Sequence, residues 1–501
     1  MNSQGHRIAT GAGSALALLL AASVILHLIF YNGAIGSDDT AYFDFASGLV
    51  NQGSLIGRDH HAARLMLLAT VGAPAAWLGS IEVAQAICLA LSLSLIAAVT
   101  LFVRRELGDI AAVAALVIIG FSAVEIVHSA VFLPEPLLAT LMFGSTVSLY
   151  FACEGRVKPR LALIALSGAM VGFAYSVKEP GILLTVPTIA YLLVRRDPGT
   201  LKLRAITLII FGGAFTLVAL LDAALLYVLT DDILFKQHGI QRGHNWYRDT
   251  PVFMEIAKES YWKTSNLAST HFALAVPLAV GAAGWILICL RRSSLLIFAL
   301  SGAFVFIYLM YGSSSLSRYL ALPYQDRYLI PLLPFAAIGG AALVATLSQL
   351  SSGRKLIPGA VALLAAIQLL SAVVLSAERS GRVFFTEAIT NLDLLFENLP
   401  NDGRPIYTSQ WASKNINVVA APGQLSRIRI IEEFKGNLPS GYHLRVVRDD
   451  AAIWLVSGDR EYEQATKELT LVGRSAQSTA WRFWGQQAAE VYEYAELRLK
   501  P

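Results

Sequence analysis

Apolar runs of about 20 residues recur along most of this chain, and nothing else in it constrains the fold as tightly. In hydrocarbon every backbone N–H and C=O must find its partner within the protein, so runs of this length are expected to be membrane-spanning helices. Eleven such runs stand out: Thr10–Tyr31, Ile81–Val103, Ile110–Ser129, Pro136–Cys153, Leu161–Val177, Pro180–Val194, Leu203–Leu229, Phe272–Leu290, Leu295–Tyr311, Tyr328–Leu347 and Leu356–Ser376. The 55% apolar and 15% charged residues agree, since a soluble chain of this size needs more surface charge. The first run has a weakly basic start and could pass for a cleaved signal peptide, but it is long enough to span and reads as a retained anchor.

Charge sets the expected orientation. Arg104/Arg105, Arg156/Lys158/Arg160, Arg195/Arg196/Lys202/Arg204, Arg291/Arg292 and Arg354/Lys355 fall in alternate short loops. Such a series marks the cytoplasmic side of a multi-pass membrane protein and puts the C-terminus on the exported side. The net charge of +4 is too small and too scattered to suggest nucleic-acid binding. Cys88, Cys153 and Cys289 lie inside apolar runs, where they are expected to pack as small apolar side chains.

Two shorter helices are expected in the first exported loop. Over Thr40–Val50, Tyr42, Phe45, Ala46 and Leu49 share one helical face. Ala62–Gly79 is apolar but short and contains Pro74, which fits a surface or re-entrant helix. Composition changes after Ser376, dividing the chain into a membrane domain, 1–376, and a small exported α/β domain, 377–501. In the latter, Arg404–Ser409, Ser426–Ile431, Leu444–Val447 and Ala452–Ser457 read as strands and Arg460–Glu468 as a helix.

Ionisable groups that could carry chemistry gather on the expected exported side. Adjacent carboxylates Asp38 and Asp39 follow the first span, Glu135 precedes the fourth, Lys178 and Glu179 separate the fifth and sixth, and Asp326 and Arg327 precede the tenth. The 230–270 loop adds Asp231, Asp232, Lys236, His238, Arg242 and His244. Each alone could be a cap or an interfacial anchor; together they imply a polar cavity at one membrane face.

Three stretches carry a family resemblance. Ser37-Asp38-Asp39-Thr40-Ala41-Tyr42, Leu133-Pro134-Glu135-Pro136-Leu137-Leu138 and Arg327-Tyr328-Leu329-Ile330-Pro331-Leu332-Leu333-Pro334 resemble, in order, three motifs of the GT-C superfamily of polyprenyl-phosphate-sugar-dependent glycosyltransferases. The nearest branch is the one holding protein mannosyltransferases, lipid A aminoarabinose transferases and RgtA/B/C/D-like core transferases. Lys178-Glu179-Pro180-Gly181 is similar to a fourth position, a Lys at a helix end. Many members carry Lys-Pro or Pro-Pro after the first loop, where this chain has Arg58-Asp59-His60-His61-Ala62-Ala63-Arg64.

The resemblance implies a GT-C-like helical membrane protein that moves a sugar from a polyprenyl-phosphate donor to an envelope glycan, lipid or protein acceptor. Asp38, Asp39 and Glu135 would be the catalytic acids, with Asp38 as base. Lys178, Arg327 and Arg64 would meet the donor phosphate, and Tyr42, His60, His61 and Tyr328 would line the substrate site. No cofactor is required, although a divalent ion held by Asp38, Glu135 or His61 fits the ligand types. A single displacement needs one base and inverts the anomeric centre. Three other readings remain open at this point: a secondary transporter, which would place charges at the midplane of repeated halves, an O-antigen ligase or polymerase working from a large exported loop, and a receptor or assembly protein whose exported domain does the work.

Overall fold

The structure, a computed structural model, describes residues 3–31, 38–55, 60–154, 160–194, 201–239, 241, 272–291, 293–312, 326–350, 353–382, 396, 399, 402–408, 422–430, 441–448, 451–454, 470–474 and 490–496. Among these, seven helices are long and apolar enough to cross a membrane: Ile81–Leu107, Pro134–Glu154, Arg160–Val177, Leu203–Thr230, Leu274–Arg291, Arg327–Leu347 and Leu356–Val373. The chain is therefore a multi-pass helical membrane protein. Shorter apolar helices at Gly13–Ile29, Asp109–Gly120, Glu179–Val194 and Leu296–Tyr311 coincide with the other four expected spans. In chain order the first helices are α1 (Ser3–Ile29), α2 (Asp38–Gln52), α3 (Leu65–Leu67), α4 (Ala73–Leu78), α5 (Ile81–Leu107), α6 (Asp109–Gly120), α7 (Ala123–His128), α8 (Pro134–Glu154), α9 (Arg160–Val177), α10 (Thr185–Val194) and α11 (Leu201–Thr230).

The expected third span is broken. Its apolar run forms α6 and α7, separated at Phe121–Ser122, where Ser122 turns extended with φ −61° and ψ 123°. The Ser23 hydroxyl on α1 donates to the Gly120 carbonyl at 2.8 Å and satisfies one of the carbonyls left open where α6 ends.

Chain segments come in two compact units. The first holds residues 1–31, 53–71 and 86–375; the second holds 32–52, 72–85 and 376–501. In the first, α8 and α9 are joined by a Ser145–Ser167 hydroxyl contact of 3.0 Å, the kind of polar bond that ties helices together in lipid. α9 in turn lies close against α11: a Cβ at Gly168 would overlap the Phe211 carbonyl, and one at Gly172 would crowd Val218. This small-xxx-small pair lets the two backbones approach. An aromatic core joins α5, α8 and the Leu296–Tyr311 helix, with Phe102 5.0 Å from Phe298 and 5.4 Å from Tyr150 between ring centroids. The Tyr150 hydroxyl donates to Glu106 at 2.6 Å.

In the second unit the expected surface helix is α2, packed against α4 and slightly longer than its sequence pattern. Tyr42, Phe45 and Ala46 are buried, as their shared face required, and Leu49 is half-buried. The expected 62–79 helix is interrupted: a π-turn over Leu68–Gly72 precedes Pro74, and Gly79 ends α4 in the left-handed conformation at φ 69°. Its Leu65–Leu78 stretch is about 21 Å long, short of the ~30 Å hydrocarbon thickness.

Toward the C-terminus lie six strands: β1 (Ile406–Thr408), β2 (Ile428–Ile430), β3 (Tyr442–Arg448), β4 (Ala451–Trp454), β5 (Thr470–Arg474) and β6 (Glu490–Glu496). They form one mixed sheet ordered β2-β1-β3-β6-β5, with β4 antiparallel to β3. β1 runs parallel to both β2 and β3. The first four correspond to the expected strands; β5 and β6 went unread, and Arg460–Glu468 lies outside the described residues. All three cysteines are free, Cys88 and Cys153 buried but Cys289 exposed.

The Phe272–Arg291 helix packs closely against Leu333–Leu347. A Cβ on Gly284 would overlap the Gly339 carbonyl, and the Trp285 indole donates to the Phe335 carbonyl at 2.8 Å. Gly284→Val should therefore force the helices apart at a cost of ~1–3 kcal/mol and lower the melting temperature in detergent. Gly212→Ala meets open space and should leave it equal or higher. Equal melting of Gly284→Val and the parent would show that this contact does not hold the pair.

Candidate functional site

The site is built around the corner after α9. Helix α9 stops at Val177 and Lys178 is extended, with φ −161° and ψ 143°. Pro180 has no N–H with which to continue the α9 ladder, and the chain resumes as a 3-10 turn, Glu179–Leu184. Gly181 closes the corner: its N–H donates to the Lys178 carbonyl at 2.9 Å, and a Cβ there would overlap the Ala174 carbonyl. The tight return leaves Lys178 only 9% exposed.

Its partner is Glu135, in the first turn of α8, 1% exposed, between two prolines whose missing N–H groups no helix start needs. Lys178 Nζ donates to Glu135 Oε1 at 2.6 Å. The other oxygen, Oε2, is buried with no hydrogen-bond partner among the described residues. Lys178 Nζ also sits 3.9 Å from the Tyr328 ring centroid, and the Arg327 guanidinium lies 5.5 Å from the same ring. Both come from a 3-10 stretch, Asp326–Leu332, that opens the Leu333–Leu347 helix. Arg64, between a 3-10 turn at His60–Ala63 and α3, acts electrostatically on Glu135, Lys178 and Glu179.

Lys178, Arg64 and Arg327 thus bring three positive groups to one place, Lys178 buried and the two arginines half-buried. Convergent cations of this kind are suited to receive an anion. Burial pushes the Lys178 pKa down to about 8; Glu135 opposes the shift, and Arg64 and Arg327 add to it.

Five of the residues singled out in the sequence, Glu135, Lys178, Arg64, Arg327 and Tyr328, therefore belong to one cluster. Asp38, Asp39 and Tyr42 belong to the second unit. There both carboxylates occupy the first turn of α2, where the helix dipole favours negative charge, Asp39 being fully buried and Asp38 half-buried. His60 and His61 lie in their 3-10 turn, with their side chains outside the described residues. Among the described residues no three His, Cys, Asp or Glu side chains gather as a metal site. Two buried polar residues escaped the sequence reading: Asp222 on α11 and Ser176 on α9. Asp222 was legible as the one acid in an apolar span.

Comparison with known proteins bears on this arrangement. Residues 77–229, which include Glu135 and Lys178, match the family of dolichyl-phosphate-mannose-protein mannosyltransferases. No curated protein matches the chain by sequence. Among solved structures, ArnT from Cupriavidus metallidurans in the apo state is 13% identical with a TM-score of 0.61, over 97% of this chain and 98% of that one. The same protein bound to undecaprenyl phosphate is 14% identical with a TM-score of 0.59, over 96% and 98%. The archaeal oligosaccharyltransferase AglB from Archaeoglobus fulgidus, in complex with an inhibitory peptide and a dolichol-phosphate, is 11% identical with a TM-score of 0.51, over 82% of this chain and 65% of that one. The chain shares the fold of these proteins.

Anion binding at the cluster should require charged Lys178 and so weaken as pH rises through about 8. Glu135→Gln removes a charge that favours the ammonium and should move this limb to lower pH. Arg64→Ala removes a repelling charge and should move it higher. Titrating the binding of undecaprenyl phosphate to detergent-solubilised protein reads all three; limbs that do not move in opposite directions would separate Lys178 from the anion.

Proposed function

We propose that this protein is an integral-membrane glycosyltransferase that moves a monosaccharide from a polyprenyl-phosphate donor to an envelope glycan, lipid or protein acceptor. The reaction takes place at the exported face of a bacterial inner membrane. The observation that carries the reading is the convergence of Lys178, Arg64 and Arg327 about Glu135, in a chain of GT-C fold. A leaving lipid phosphate needs charge-assisted contacts where water is scarce, and such a cluster supplies them. The matched mannosyltransferase family and the ArnT structure with bound undecaprenyl phosphate support the same donor class.

In this reading the acceptor hydroxyl attacks the anomeric carbon while the bond from that carbon to the phosphate oxygen breaks. The hydroxyl proton passes to Asp38, polyprenyl phosphate departs with the bonding pair, and the configuration inverts. Asp39, buried beside the base in the same helical turn, orients ligands. Glu135 holds Lys178 toward the phosphate, its nearer oxygen being committed to that ammonium. Arg64 and Arg327 complete the phosphate site, Tyr328 provides the face on which Lys178 rests, and Tyr42, His60 and His61 contribute to the sugar and acceptor subsites.

Transfer of labelled sugar from a polyprenyl-phosphate donor in vesicles tests the assignment. Asp38→Asn keeps volume and fold and should lower turnover on the order of a hundredfold, with donor binding less affected. Arg327→Ala should weaken donor use, and Arg327→Lys should restore it only in part, because Lys lacks the planar two-point fork. Normal transfer by Asp38→Asn with none by Glu135→Gln would make Glu135 the base. Full activity in both would remove the chemical support for glycosyl transfer.

A further inference from the structure

Asp222 is the one acidic residue in the Leu203–Thr230 span, 5% exposed and roughly 12 Å in from its end. A carboxylate at such a place is expensive unless it is partnered, and its partners indicate its use. Both oxygens are taken. Oδ1 accepts a short hydrogen bond from the Ser176 hydroxyl, and Oδ2 accepts one from Lys236 Nζ at 2.9 Å.

Each partner reaches on toward the phosphate cluster. Ser176 Oγ, its proton given to Asp222, accepts the Met66 backbone N–H at 3.2 Å. Met66 is two residues after Arg64. The same stretch of chain is tied to α11 at its other end, where the Leu55 N–H donates to the Leu229 carbonyl at 2.8 Å. Lys236 Nζ donates to the Tyr175 carbonyl at 3.0 Å and lies 4.2 Å from the Tyr175 ring centroid. Tyr175 is in the last turn of α9, whose carbonyls have no intrahelical partners, so the Lys236 ammonium caps the helix that ends at Lys178 and complements its dipole.

We propose that Asp222 is a positioning residue of the phosphate site. Through Ser176 it pins the segment that carries Arg64, and through Lys236 it fixes the end of α9 that carries Lys178. This rests on the reading of the Lys178 cluster as a donor-phosphate site. Asp222 itself touches neither phosphate nor sugar. Its pairing with Lys236 holds that ammonium at the end of α9.

Three variants test it: Ser176→Ala, Asp222→Asn and Lys236→Met, with Lys178→Met as the control on the underlying reading. Ser176→Ala removes one hydroxyl and is the variant least able to disturb folding. Hydrogen exchange at the Met66 amide reads the anchor without any ligand and should be faster in Ser176→Ala and Asp222→Asn. The dissociation constant for undecaprenyl phosphate, measured per folded molecule, should rise about tenfold or more in Asp222→Asn, while transfer at saturating donor changes less. Lys236→Met should weaken binding without changing Met66 exchange. Parental exchange and parental affinity in both Ser176→Ala and Asp222→Asn would overturn the proposal, and so would affinity lost only in proportion to unfolded protein. If Lys178→Met binds the lipid phosphate as the parent does, the donor-phosphate reading falls, and Met66 exchange still decides whether Asp222 holds the Arg64 segment.

Discussion

The buried Lys178–Glu135 pair is the contact on which the rest of the site depends. An ion pair placed out of water recovers its desolvation cost only when geometry is good and further polar partners are present. Here the lysine also rests on Tyr328, while Arg64 and Arg327 add positive charge to the same small volume. Three cations converging on one place suit a phosphate ligand, whose oxygens can take charge-assisted bonds from each.

Interruptions of the helices make the cluster possible. A continuous helix through Lys178 would aim consecutive side chains around its whole circumference. The break between α9 and the following 3-10 turn, set by Pro180 and Gly181, turns one lysine inward. Similarly, Glu135 enters with the proline-flanked start of α8, and Arg327 and Tyr328 with a 3-10 stretch containing Pro331. Irregular backbone within a membrane protein is tolerated where it lines a protein interior, and here each irregular stretch delivers a charged or aromatic group. The close packing of α9 on α11 and the hydroxyl tie between α8 and α9 then fix those stretches relative to one another.

Much of this was legible in the sequence, because the signals were local. Apolar run length located the helices, period located the buried face of α2, and Pro-Glu-Pro and Lys-Glu-Pro-Gly marked the helix boundaries that carry Glu135 and Lys178. What stayed hidden depended on distant partners. Nothing near Gly120 foretells that Ser23 will partner its carbonyl, and nothing local says that Lys178 will find a carboxylate 43 residues away. Asp222 was lost by averaging, since one acid barely alters the hydropathy of a 28-residue apolar span. Glu135 illustrates the same limit, since its motif is local while its bond to Lys178 is not.

The central claim is that this cluster receives a lipid phosphate, and an electron cryo-microscopy map of the protein with undecaprenyl phosphate bound tests it most directly. The account predicts the phosphate within roughly 4 Å of Lys178 Nζ and of the Arg64 or Arg327 guanidinium, with Glu135 still on the lysine. A phosphate bound elsewhere, with Lys178 and Glu135 undisturbed and no density beside them, would contradict it.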